Sequence, residues 1–197
     1  MIVSRRPTTS LTAIPEKSIA VLPFVDMSAG KDQEYFSDGI SEELLNLLAK
    51  IPQLQVTART SSFSFKGKDI GIAEIAKTLH VAHVLEGSVR KSGNSVRITA
   101  QLINAATDTH LWSQTYDRKL DDIFAIQDEI AADVVKQLKL TLLGAAPKAR
   151  TTDPEAYALY LQAKQLGQQF TAEAFRQSDA LLHKALAIQP RSASAGA

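Results

Sequence analysis

The chain contains no cysteine among its 197 residues, which excludes a disulfide framework, a thiolate metal site and a cysteine nucleophile. Long apolar runs are also missing. Pro, Asp, Lys or Glu interrupts each hydrophobic stretch well short of the roughly 20 residues a membrane span needs, so a soluble chain without direct membrane insertion is expected. Neither charge sign dominates, with Lys+Arg 22 against Asp+Glu 21 and a net charge of +1. What the chain does have is 45% hydrophobic residues, enough for a substantial core in one or two domains.

Charge is distributed unevenly: residues 1–17 carry +2, residues 18–143 carry −3 and residues 144–197 carry +2. A folded block that is mildly acidic and has no basic stripe argues against nucleic acid as a partner, because phosphate neutralisation supplies most of that affinity. Met1–Lys17, rich in Ser, Thr, Pro and Arg, reads as an exposed arm. Its Ser4-Arg5-Arg6 resembles the start of a twin-arginine export signal, but Leu11–Ile14 is too short for the apolar region such a signal needs, and Pro15-Glu16-Lys17 closes it. Gly144–Thr152 has the composition of a linker, and the last residues are expected to fray.

Between these segments the periodicity alternates. Ser18–Val25 is a short apolar run suited to a strand buried on both faces, with Pro23 marking its end. Ile40, Leu44, Leu47, Leu48 and Ile51 give a helix over residues 34–51, stopped by Pro52; Gly39 within it is expected to pack closely against the sheet. Leu54–Thr60 alternates like a strand, a polar loop follows, and Ile72, Ile75, Ala76 and Leu79 mark a short helix capped by Asp69 or Gly71. Val84–Lys91 and Ser95–Asn104 flank the turn Ser92-Gly93-Asn94, and His110–Tyr116 completes an antiparallel meander. A last helix spans Asp121–Leu143, with Ile123, Ile126, Ile130, Val134 and Leu138 on one face. The order β-α-β-α-β-β-β-α predicts an α/β fold: a mixed five-stranded sheet with packed helices.

Asp153-Pro154 pairs an N-cap with proline at the first helical position and opens a helical hairpin, with helices to about Gln169 and from about Thr171. Leu166-Gly167 with Phe170, then Ser178, Leu182, Ala185 and Pro190, follow a tetratricopeptide pattern one residue short; an ordinary hairpin with a large–small seam fits these residues too. A single repeat cannot bury its apolar face alone. Leu182 and Leu186 are therefore the candidate interface for further repeats or for a homo-oligomer. The expected organisation is an arm (1–17), an α/β domain (18–143), a linker (144–152), a tetratricopeptide-like hairpin (153–190) and a tail (191–197).

Catalytic signatures are scarce. Gly67-Lys68 lacks the preceding glycine of a phosphate-binding loop, and Gly39–Glu43 lacks the second glycine of a nucleophile elbow. His80 and His83 with Glu86 sit at a helix-to-strand junction, where their spacing does not converge on a metal. Glu129 and Asp133, one helical turn apart, read as a solvated acidic face. No catalytic residue, cofactor or metal site is expected. The most unusual segment is Arg59–Lys68, expected as a loop after a strand. Its Arg59, Ser61, Ser62, Phe63, Lys66 and Lys68 could hold an anionic or other small ligand, since Arg and Lys with hydroxyls bind anions and ligands favour the carboxyl ends of strands in α/β sheets. The alternative is a surface connection whose phenylalanines pack onto the sheet. Trp112, sharing a strand face with Tyr116, could anchor a protein partner or lie under a helix.

Several of these segments occur in one unbroken order: Ser18–Phe24, Glu34–Leu45, Arg59–Phe63, Val84–Arg90, Arg97–Ile103, Leu111–Ser113 and Tyr116–Arg118. In them the chain strongly resembles the TolB-like amino-terminal domain family over residues 18–143. Gly71 stands where the family has an Asp cap, and His80 where it has a C-terminal glycine. Relatives carry this domain after a membrane helix and before tetratricopeptide repeats, downstream of adenylate or guanylate cyclase, winged-helix regulator or kinase domains. The resemblance implies a non-catalytic sensory or interaction module in bacterial signal transduction, binding a protein partner or small ligand and regulating a fused or partner output domain. It places the domain in the periplasm in anchored relatives; a chain expressed alone, with no signal or membrane segment, would be cytoplasmic. Two other readings stay open: an assembly component joined through the repeat helices, and an enzyme with an unrecognised site. With a core of 126 residues in a chain of 197, the sequence is expected to be a fragment of a longer signalling protein.

Overall fold

The computed structural model describes residues 13–138 and 153–188. Strands β1 (Ser18–Val21), β2 (Val25–Asp26), β3 (Gln55–Val56), β4 (His83–Ser92), β5 (Ser95–Asn104) and β6 (Thr109–Lys119) form one mixed sheet in the order β3-β1-β4-β5-β6, with β2 also beside β4. The helices are α1 (Glu34–Ala49), α2 (Arg59–Phe63), α3 (Ile72–Leu79), α4 (Ile123–Gln137), α5 (Pro154–Gly167) and α6 (Ala172–Ile188), with a 3-10 turn at Leu120–Asp122 ahead of α4. β1 runs parallel to β3 and β4, and β4, β5 and β6 form the antiparallel meander. The expected arm, linker and tail, the end of the last helix and Pro190 fall wholly or largely outside the described residues.

The sheet has six strands rather than five because the run expected as one strand over Ser18–Val25 divides. β1 pairs with His83–Leu85 and β2 with Ser88-Val89 of the same partner strand. Pro23 has no N–H for the ladder. The Phe24 N–H leaves the sheet and donates to the Ser41 hydroxyl of α1 at 2.8 Å, and that hydroxyl donates in turn to the Ser37 carbonyl at 2.8 Å. The Phe24 ring then lies on β4, where a Cβ at Gly87 would stand 2.6 Å from it and 2.2 Å from the Thr99 carbonyl oxygen. Only glycine fits at that crossing.

A second departure follows β3, which ends at Val56. Arg59–Phe63, expected as strand end and loop, forms α2, with the N–H groups of Ser61 and Ser62 donating to the Ala58 carbonyl. α3 is flanked by Gly71 and ends at His80, whose φ of 57° lies in the left-handed region where glycine costs least.

Two apolar clusters sandwich the sheet. The larger holds Ile19, Val21, Phe36, Ile40, Leu44 and the inward faces of β5 and α4; the smaller joins Ala20, Leu22 and Val84 to Ile75 and Ala76 of α3. On the α3 side, beyond that helix, the sheet carries polar side chains, among them Arg97 bound bidentately to Asp117 at 2.6 and 2.9 Å. β6 is an edge strand, and edges invite unwanted pairing. Here an unpaired extra residue, Leu111, bulges between the pairs Leu102–Trp112 and Ile103–His110. Together with the charged end Asp117–Lys119, it limits the regular free edge.

The C-terminal hairpin docks on α1. Asp153 caps α5 by accepting the N–H groups of Glu155 and Ala156 at 2.9 and 3.1 Å, and the Thr171 hydroxyl accepts the Ala174 N–H at 3.1 Å. Tyr157 is buried in edge-to-face contact with Phe36 and Phe124. Its hydroxyl accepts from Gln127 at 2.8 Å, while burial pushes its pKa far up. Gly39 faces α5 rather than the sheet: a Cβ there would lie 2.5 and 2.8 Å from the two methyl carbons of Leu161. The glycine is where two helices approach most closely.

Gly39→Ala should therefore lower the unfolding free energy by about 1–2 kcal/mol through overpacking, despite alanine's better helix propensity. In a Leu161→Ala background the same change should be neutral or stabilising, a sign reversal that denaturant unfolding of the double-mutant cycle would reveal. Asp26 generates a pH prediction. Burial raises its carboxyl, but hydrogen bonds from Ser28 and Gln33 outweigh this and hold it below the ordinary value of 3.8. The resulting stabilisation is complete above that value and is lost as pH falls through the lowered folded value. Asp26→Asn should thus be less stable than wild type at neutral pH, with the gap in Tm closing as the pH falls below 3.8 through the lowered folded value.

Candidate functional site

Division of the first strand opens a cleft of about 580 Å³ at the carboxyl end of β1, where the α1 and α3 layers meet. Crevices at this end of parallel strands are the usual ligand sites of α/β sheets. Leu22, Phe24, Ile70, Ile72 and Ile75 give it an apolar floor, and charged side chains of the β2–α1 loop, α1, the α2–α3 segment and β4 surround it.

The charged groups are not equivalent. Lys66 Nζ sits 2.7 and 2.6 Å from the two Asp38 carboxylate oxygens and 2.7 Å from Glu34 Oε1. Burial pulls the Lys66 ammonium down, but hydrogen bonds to Asp38 and Glu34 carry it above its usual range; burial pushes the Asp38 carboxyl up. Asp26 accepts the Ser28 and Gln33 N–H groups, each at 2.8 Å, one on each oxygen. Glu86 is half-buried on β4, and burial raises its carboxyl, with His110 pulling the other way.

Of the residues singled out from sequence, Lys66 and Lys68 line this cleft, together with Phe65. Arg59 lies further along α1, with its Nε 3.0 Å from Glu42 Oε2 and its guanidinium 4.1 Å above the Phe63 ring. Ser62 is buried, its hydroxyl without a partner among the described residues, while Ser61 is exposed. Trp112 is elsewhere, half-buried against the larger cluster with its ring 6.5 Å from that of Tyr116, and Leu182 and Leu186 lie on the hairpin. Sequence reasoning did not select Lys31, Glu34, Asp38 or Asp26, and it weighed Glu86 only beside His80 and His83. Those histidines do not converge. His80 bonds the Lys77 carbonyl and His83 the Ser18 carbonyl, and among the described residues no group of three His, Asp or Glu side chains could hold a metal. Asp133 accepts the Tyr116 hydroxyl at 2.9 Å, whereas Glu129 is 3.8 Å from Arg118.

One signal in the sequence could have located the acidic residues. Glu34, Asp38 and Glu42 recur every four positions and so share one face of α1. Lys66 joins the first two and Arg59 meets the third; from the hairpin, Lys164 reaches Glu42 at 3.3 Å and Glu43 at 2.7 Å. This stripe accepts cations from the cleft wall and from α5.

No helix among the described residues is long and apolar enough to cross a membrane. The chain is 43% identical over 199 residues to putative adenylate cyclase 3 of Rhizobium meliloti (strain 1021), a match covering 99% of this chain and 34% of that protein. It thus spans about a third of the length of this curated relative. Among solved structures it is similar to TolB from Acinetobacter baumannii, with a TM-score of 0.45, 12% identity and coverage of 61% of this chain and 28% of that one. A lipoprotein of Neisseria meningitidis is similar with a TM-score of 0.45, 18% identity and coverage of 64% and 99% respectively. Residues 15–133, more than half of the chain, match the model of one domain family, and by that match the chain belongs to the family described as HilA/YgeH-like transcriptional regulator, second domain.

Proposed function

We propose that this chain is a sensory or interaction module without catalytic chemistry of its own, which binds a protein partner or a small ligand and regulates a signalling output domain, fused or separate. The carboxylate stripe on α1 is the observation that carries this reading. Lys66 of the cleft wall holds Glu34 and Asp38 on the same face of α1 on which Glu42 holds Arg59 and, from the hairpin, Lys164, so a ligand that moves Lys66 disturbs the helix face to which the hairpin is tied. Helix α1 is thereby a mechanical link between a cleft and a surface able to contact another domain. In this reading the cyclase chemistry named for the Rhizobium relative lies outside the third of that protein that this chain matches, and the matched part regulates it.

Assembly through the hairpin is a second reading, favoured by a stripe on α6: Phe175, Leu182 and Leu186 are 51%, 37% and 38% exposed, and the spacing places them on one face. Here the hairpin is a single tetratricopeptide-like unit that stacks on further repeats or on its own copy.

Three measurements separate these readings. Purified chain should neither cyclise nor hydrolyse ATP or GTP; turnover lost on alanine substitution of Arg59, Lys66 and Lys68 would establish an enzyme instead. Glu42→Gln should speed amide hydrogen exchange in α5 about fivefold, the equivalent of about 1 kcal/mol, and exchange unchanged from wild type would sink the coupling. Light scattering should find a monomer if the module acts through other domains. A dimer or larger species that dissociates on Leu182→Glu and Leu186→Glu would favour assembly.

A further inference from the structure

Three charged side chains around the cleft make no direct hydrogen bond or ion pair among the described residues: Lys31 in the β2–α1 loop, exposed and acting on Asp26 only at a distance; Lys68 in the α2–α3 segment, exposed with its Nζ 5.7 Å from the Phe65 ring centroid; and half-buried Glu86 on β4, which feels His110 and Asp108 without bonding either. The other charges there are engaged. Both oxygens of Asp26 accept backbone N–H groups, and Lys66 is held by Asp38 and Glu34. A ligand entering the cleft thus meets two exposed cations and one half-buried carboxylate, offered by three different elements around an apolar floor.

That arrangement narrows the chemistry. A purely anionic ligand would be set against Glu86, and a purely cationic one against Lys31 and Lys68. A neutral apolar ligand would cover the half-buried Glu86 carboxylate without pairing it, which offsets part of the gain from apolar burial. A molecule carrying both charges on an apolar body satisfies every free group. The volume of about 580 Å³ lies within the range of small-molecule sites. Burial already disfavours the ionised Glu86 carboxylate, so an incoming ammonium group would relieve an existing cost.

We propose that the cleft binds a small zwitterion of the amino-acid or short-peptide class, with its ammonium group on Glu86, its carboxylate on Lys68 and Lys31, and an apolar side chain on the floor formed by Leu22, Ile70 and Ile72. This rests on the sensory reading above and names the kind of signal it would sense.

Calorimetric titration of the 197-residue chain with L-leucine, L-phenylalanine and L-leucyl-L-leucine, each also as its N-acetyl and its C-amide form, tests the proposal. The zwitterions should bind, and either cap should weaken binding about tenfold or more, as expected for loss of a charge-assisted contact. In Glu86→Gln the penalty of acetylation should vanish, and in the double variant Lys31→Ala with Lys68→Ala the penalty of amidation should vanish. Circular dichroism and Tm verify that these variants fold. No heat from any of the three zwitterions at about 10 mM, or equal binding of capped and free forms, would overturn the proposal. Hydrogen exchange in α5, measured on the same samples, reports separately on the sensory reading. Binding with the expected pattern but no change in α5 upholds the ligand class and overturns the coupling.

Discussion

The backbone N–H of Phe24 is the pivot on which the cleft end of the molecule turns. By donating to the Ser41 hydroxyl rather than to a neighbouring strand, it ends β1, swings the ring onto Gly87 and ties the sheet to the middle of α1. A buried amide without a partner would cost about 1–3 kcal/mol, so the break persists only because a serine one layer away accepts that proton. Loss of the Ser41 hydroxyl would strand the amide, and closing the strand would leave the Phe24 ring without its place against Gly87. The cleft is thus a consequence of how one donor is satisfied.

Helix α1 then serves both sides at once. Phe36, Ile40, Leu44 and Leu48 face the sheet core, Gly39 admits Leu161 of α5, and the Glu34–Asp38–Glu42 stripe collects cations from the cleft wall and from the hairpin. Apolar burial fixes where the hairpin sits, and the half-buried ion pairs add orientation more than stability, since such pairs regain only part of their desolvation cost. An element enclosed in this way cannot shift on one side without disturbing contacts on the other. That constraint underlies the proposed regulatory role.

Much of this architecture was legible in the sequence wherever the determinants are local. The β4–β5 hairpin follows from alternation around Gly93, whose φ of 55° the turn requires, and α5 begins where Asp153-Pro154 places it. The misread features depend on partners far away in the chain. Ser18–Val25 reads as one strand because the acceptor for Phe24 is 17 residues distant. Gly39 reads as a sheet contact because the helix pattern does not say which face α5 will cover. The composition of Arg59–Lys68 stood out, but only the fold decides that Arg59 and Lys66 are held by α1 carboxylates. It also decides that Glu86, an ordinary outward-facing position in an alternating strand, borders a cleft.

The location of the single tryptophan has a spectroscopic side. Trp112 stands on β6, half-buried against the larger cluster near Tyr116, and β5 separates it from the strand that borders the cleft. Its emission reports the environment of the α4 side of the sheet, so loss of the fold would register as a shift in wavelength. Occupation of the cleft would leave that emission unchanged unless the disturbance crossed the sheet, and the protein carries a built-in optical probe that distinguishes a global rearrangement from a local one.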